Sequence, residues 1–128
     1  MAVSGGDALE NEAYKALPKL LEQDYGIIIA EALDRDFVED NKGREIEVNI
    51  LGKERQNGKE ILIVGEFQSR VSINDINTFL RKKLKRLEGL HPNLFPVVVT
   101  HMVSSKKVES YAREKGIALY KSSKFTNT

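Results

Sequence analysis

The sequence contains no cysteine. That removes disulfides, thiolate metal sites and thiol nucleophiles together, and it fits a reducing compartment, so a cytoplasmic location is expected. It has no long hydrophobic run either. Nothing approaches the ~20 apolar residues needed to cross a bilayer, and no membrane partner is expected. The opening MAVSGGDALENEAY lacks a basic stretch followed by an apolar core, so no secretory signal is expected. Nor does one sign of charge dominate. Twenty Lys and Arg against 19 Asp and Glu give a formal net charge of +1, so any contact with nucleic acid must come from a local patch. His91 and His101 are the two histidines, far apart and without zinc-ligand spacing.

What is present is a chain of 128 residues, 41% hydrophobic and 30% charged, which suits one soluble domain with a single core. Residues 1–128 read as one unit, with 1–6 and 122–128 expected to fray. Asp7 is placed to cap a helix running to about Asp24, with Glu10 three residues on as in a capping box. Leu9, Ala13, Leu17, Leu20 and Leu21 recur at helical spacing. Pro18 is expected to kink or split that helix. Gly26 breaks it, and a strand from Ile27 extends to Val38. A polar turn over Glu39–Gly43 leads into a strand from Arg44, and Asn57-Gly58 marks a tight hairpin into a third strand through Ile61–Val64.

Ser72 or Asn74 then caps a helix to about Glu88, with Ile76, Leu80, Leu84 and Leu87 as its buried stripe and Phe79 beside it. Arg81, Lys82, Lys83, Lys85 and Arg86 put five cations in six positions on its other face, a pattern that suits phosphate contact or a solvated face. Leu94–Val99 reads as a strand buried on both sides. Ser104 or Ser105 opens a helix that Gly116 ends, Ile117–Tyr120 forms a last strand, and a polar tail follows from Lys121. The expected fold class is α/β: a mixed sheet, antiparallel meander plus parallel crossover, flanked by helices.

Chemistry concentrates on the second and third strands. Residues i and i+2 of a strand point the same way, about 6.6–7 Å apart, so Glu45, Glu47 and Asn49 share a face of their strand, and Glu66 and Gln68 share a face of theirs. Carboxylates beside an apolar run need a partner or a cation, and pooled oxygens on neighbouring strands are a usual way to hold Mg²⁺. Two readings stand on spacing alone. The acids hold a metal, or Glu66 ends its strand in solvent while Glu45 and Glu47 pair with Arg or Lys. Glu10 likewise either borders the site or is simply an acid favoured by the helix N-terminus.

The segments LENEAYKALPKLL, EVNILG, IVGEFQSR and INDINTFLRK, in that order, resemble the PD-(D/E)xK phosphodiesterase superfamily, which has the restriction-endonuclease-like fold, and within it an uncharacterised prokaryotic branch. The resemblance implies a metal site of Glu10, an acid on the second strand at Asn49 or Glu47, and Glu66, with Gln68 where the family's Lys stands. It implies Mg²⁺ or Mn²⁺ as cofactor, DNA as substrate with ends or branches favoured over sequence, and a homodimer for cutting both strands. Arg70, Arg81, Lys82, Lys85 and Arg86 would contact phosphates. Asn49 and Gln68 weaken such a site: an amide replaces a carboxylate, and a missing preorganised cation costs on the order of 10²–10³ in rate. The implied alternative is an inactive module of the same fold that binds nucleic acid or a protein.

Overall fold

Helical spacing at the start of the chain and strand alternation after Gly26 produce the expected order of elements. The computed structural model describes residues 5–91 and 93–127. Helix α1 spans Gly5–Tyr25, followed by strands β1 Ile27–Ile28, β2 Asp34–Glu39, β3 Glu45–Gln56 and β4 Lys59–Val71. Helix α2, Ile73–Phe79, continues as a π-helical turn over Leu80–Leu84 and a 3₁₀ turn over Lys85–Leu87. Strand β5 Leu94–Val103, helix α3 Lys106–Glu114 and strand β6 Ala118–Lys121 form the crossover, and a 3₁₀ segment Ser122–Asn127 follows. The six-stranded sheet runs β1-β3-β4-β5-β6, with β2 also paired to β3. The pairs made by β3 are antiparallel, whereas β5 is parallel to both β4 and β6. No helix among the described residues is long and apolar enough to cross a membrane.

Alternation along the strands sorts the core onto two sides. Ile61 and Ile63 of β4, Val97 and Val99 of β5, and Ala118 and Tyr120 of β6 pack with Leu9, Ala13, Leu17 and Leu21 of α1. Leu62, Val64 and Val98 face the other way, joining Ile46 and Val48 of β3 with Ile76, Phe79 and Val108 of the opposite helices. Each fully buried aliphatic side chain contributes roughly 1.5–3 kcal/mol, so both layers are needed against the entropy of ordering the chain. The Asn57-Gly58 hairpin forms as expected, with φ of 52° and 81° in the left-handed region that this tight turn requires.

Four local expectations are corrected. α1 runs unbroken through Pro18, because Ala13, Ala16 and Leu17 on one side and Leu20 and Leu21 on the other are all buried against the sheet. It begins at Gly5, and the cap expected of Asp7 concerns a side chain outside the described residues. The strand expected over 27–38 is two pieces. The buried Glu54 accepts the amides of Ala30 at 3.0 Å and Glu31 at 3.4 Å, which turns the chain out of the ladder, and Leu33 fills the space over Gly52. The helix after Ser72 changes to π and then 3₁₀ geometry instead of continuing to Glu88 as one α-helix. The tail expected to fray places Phe125 in the core beside α1.

β3 carries one extra residue. Asp36 pairs with Val48, but Asp34 pairs with Leu51, so Val48 faces the α2 side and Ile50 the α1 side. This is a β-bulge, which bends a strand and interrupts its ladder. Ile50 crosses directly over Gly65. A Cβ at Gly65 would lie 2.8 Å from Ile50 Cδ1, 2.9 Å from its Cβ and 3.1 Å from the Val97 carbonyl. Gly65→Ala is expected to lower stability by about 1–3 kcal/mol, read as a shift in the chemical denaturation midpoint. An unchanged midpoint would show that β3 and β4 have room to spare there.

Candidate functional site

β3 and β4 are laddered from the hairpin as far as Ile50 and Gly65. Beyond that point Glu45–Val48 pair with β2, and Glu66–Val71 run beside β5. Asn49 sits where the strands part. Its Oδ1 accepts the Phe67 amide at 3.1 Å, and its carbonyl accepts the Tyr14 hydroxyl at 2.5 Å. Tyr14 also meets Phe67 edge-on, with ring centroids 5.5 Å apart. Burial, then the charge of Glu10, pushes the Tyr14 hydroxyl up to about 12, so it remains a proton donor at neutral pH.

Glu10 and Glu47 come together on the α1 side, and Arg35 of β2 joins them. Its guanidinium pairs with Glu10 and lies 3.5 Å from Glu47. Burial disfavours the Arg35 charge, but Glu10 and Glu47 outweigh it and hold the guanidinium more firmly charged than usual. For Glu47 this is the ion-paired reading that the spacing leaves open. Glu10 acts as a partner for Arg35, not as a capping-box acid.

Glu66 and Gln68 follow Leu62 and Val64 in phase, and those two face α2. Gln68 Nε2 lies 3.4 Å from Glu66 Oε2. Burial raises the Glu66 carboxyl above its ordinary value. Gln68 and Lys83 pull it back, and Asp75 adds to the rise. Asp75 is itself engaged in a capping box with Ser72 at the start of α2.

Lys83 belongs to the site although the run of cations around it conceals it. Its Nζ donates to the Glu47 carbonyl at 2.5 Å. Its spacing marks it: Lys83 follows Ile76 by seven residues and Phe79 by four, the positions of one helix face, and both of those side chains are buried. The backbone carrying it is π-helical, a local widening found often at functional sites.

The expected ligand set does not converge. Glu10 and Glu47 lie on the α1 side and are held by Arg35, Glu66 lies on the α2 side, and the Asn49 oxygen already takes the Phe67 amide. Among the described residues no three Asp, Glu, His or Cys side chains are grouped to hold a metal. Mg²⁺ wants several hard oxygens around one point, and the residues present do not fit it or Mn²⁺.

The expected phosphate contacts divide. Arg70, Arg81, Lys82 and Lys85 are exposed and make no ion pair among the described residues. Arg86 is engaged elsewhere: its Nε and Nη2 hold the buried Asp40 at 2.8 and 2.7 Å. Asn41 beside it takes up the end of the same helix, its amide donating to the Arg86 carbonyl at 2.8 Å. Asp40 and Asn41 thus tie the β2–β3 turn to α2, a pairing across 46 residues that no local pattern marks.

No family model matches the sequence, and no curated protein matches it. Its fold has relatives among solved structures. A protein of unknown function, AF1548, aligns over 87% of this chain and 56% of its own, at 20% identity and a TM-score of 0.57. A repair endonuclease from Pyrococcus abyssi aligns over 94% of this chain and 48% of its own, at 16% identity and 0.50. EndoMS in a complex with double-stranded DNA aligns over 94% and 46%, at 18% identity and 0.52. The chain has the restriction-endonuclease-like fold. It spans about half the length of these three structures. In this nuclease fold the parting of β3 and β4 is the candidate site, braced by the Asp40–Arg86 clamp at the far end of the α2 segment.

Burial pushes the Asp40 carboxyl up, but the amides of Arg44 and Lys42 and the Arg86 guanidinium outweigh it and hold it at about 2, below its ordinary 3.8. A carboxyl depressed in the folded state stabilises the protein above its unfolded value, and that contribution disappears as pH falls through the folded one. Asp40→Asn should therefore be less stable than wild type at pH 5, and the difference should shrink between about pH 4 and pH 2. Denaturation midpoints across that range check it. A difference that stays constant with pH would remove the charge from the clamp.

Proposed function

We propose that this domain is a nuclease-fold module that binds the DNA backbone and does not hydrolyse it through Mg²⁺. The observation that carries this reading is the engagement of the site's oxygens by side-chain cations, Arg35 on Glu10 and Glu47, and Lys83 on the Glu47 carbonyl. Metal-assisted hydrolysis needs a divalent ion to polarise the phosphate and lower the pKa of the attacking water. Here the acids stand on two sides of the sheet, and Gln68 carries no charge to offer a transition state. Of the two roles that the resemblance implies, a weakened Mg²⁺-dependent endonuclease and an inactive binding module, this favours the second.

DNA is the favoured ligand because Arg70, Arg81, Lys82 and Lys85 leave four cations exposed near one end of the sheet and along one helical segment. EndoMS, similar in fold, is seen with double-stranded DNA. The exposed groups are suited to phosphates and carry no array for reading base edges, so duplex ends or branches are preferred over sequence. A module that does not cut has no need of a second copy, and the homodimer expected for double-strand cleavage is not carried forward.

Fluorescence anisotropy with a short DNA duplex tests this. Wild type should bind at ~50 mM salt, with affinity falling steeply as salt rises. Replacing Arg81, Lys82 and Lys85 by Gln should weaken binding and reduce the slope of log K against log salt by ~0.9 for each phosphate no longer neutralised. EDTA should leave wild-type binding unchanged, and supercoiled plasmid should stay intact in Mg²⁺. Metal-dependent nicking, or equal slopes for the two proteins, would contradict the proposal.

A further inference from the structure

The place where β3 and β4 separate holds oxygens without a divalent-ion geometry, and one positive side chain reaches into it. We propose that the Lys83 ammonium is the resident cation of this fork, a tethered charge that occupies it in place of a free ion. The inference rests on the reading of the fork as a site that carries no metal. Its test uses no DNA, so failure of DNA binding leaves it standing or falling by itself.

Three observations point to Lys83. Its Nζ is 2.5 Å from the Glu47 carbonyl, an oxygen at the stretch of β3 that β4 no longer accompanies. Lys83 is half-buried, and Leu80 and Leu84 of the same segment pack on the core of the α2 side. Its field also bears on Glu66, the carboxylate facing that side. An ammonium with three donors can be held among carbonyl and carboxylate oxygens as a hard cation would be. Unlike a free ion, it is already attached to the helix, so it loses no translational freedom on seating.

One ammonium also accounts for both departures from the nuclease pattern. With Lys83 in place, a Lys at position 68 would bring a second ammonium beside the same Glu66 that Gln68 contacts, and like charges at short range are unfavourable. The neutral Gln68 avoids that and still donates to Glu66. With no divalent ion to hold, position 49 needs no second carboxylate. Asn49 instead keeps the one function its oxygen performs, accepting the Phe67 amide.

Calorimetric titration with Mn²⁺ on four proteins tests the inference: wild type, Asn49→Asp, Lys83→Met and the Asn49→Asp/Lys83→Met double variant. Asp at position 49 retains an oxygen for the Phe67 amide and adds a carboxylate. Wild type and Asn49→Asp should give no binding heat, and the double variant should give a saturable heat of Mn²⁺ binding. Equal binding by Asn49→Asp alone, or no gain in the double variant, would overturn the proposal. If the double variant does not fold, wild-type Lys83 decides the matter through lysine acetylation read by mass spectrometry. Lys83 should label far more slowly than Lys82 and Lys85, equally in EDTA and in Mn²⁺. Labelling as fast as its neighbours, or faster when Mn²⁺ is added, would overturn it.

Discussion

A single asparagine joins three elements at the point where the sheet divides. Asn49 takes the Phe67 amide of β4 on its side chain and the Tyr14 hydroxyl of α1 on its carbonyl. Without these bonds the bulge in β3 would leave a polar backbone group of β4 unpaired inside the fold, at a cost of about 1–3 kcal/mol. The bulge in turn exists because Val48 and Ile50 both have to be buried, on opposite sides. Packing therefore dictates the separation of the strands, and hydrogen bonding fixes how far it goes.

The electrostatics follow from that geometry. With Glu47 turned to α1 and Glu66 to α2, one divalent ion cannot serve both. Arg35 from an edge strand instead pairs with Glu10 and Glu47, and Lys83 from the helix after β4 donates to the Glu47 carbonyl. An ion pair as exposed as Arg35–Glu47 adds little stability. Its consequence lies in the site's charge, because it occupies Glu10 and Glu47, two of the oxygens on which the expected metal site depends. The outer cations Arg81, Lys82 and Lys85 remain in solvent, where their effect on an approaching polyanion depends on salt.

The order of elements was legible in the sequence because its signals are local. Helical spacing over Leu9–Leu21, the Asn57-Gly58 turn and the unbroken apolar run at Leu94–Val99 each specify an element without reference to anything distant. The errors fall where a distant residue decides. Glu54 ends β1 by taking two amides more than twenty residues away. Asp40 removes Arg86 from the basic face across 46 positions. The candidate site was legible in its residue types but not in its assembly. Alternation shows that Glu66 and Gln68 share a face, yet it cannot say which face Glu47 takes, because the bulge after Val48 changes the phase between the strands. Lys83 was readable from its spacing to Ile76 and Phe79, but its charge grouped it with its exposed neighbours.

Whether side-chain cations already fill the fork can be read by nuclear magnetic resonance of the isotope-labelled wild-type protein during addition of Mn²⁺, whose unpaired electrons broaden nearby signals. A fork so supplied should show only weak, scattered broadening, with the amides of Glu47, Glu66, Phe67 and Gln68 affected no more than those of other exposed acidic stretches. Strong broadening centred on those four amides at low Mn²⁺ would place a divalent ion between β3 and β4, and a fork filled by Arg35 and Lys83 would then be ruled out.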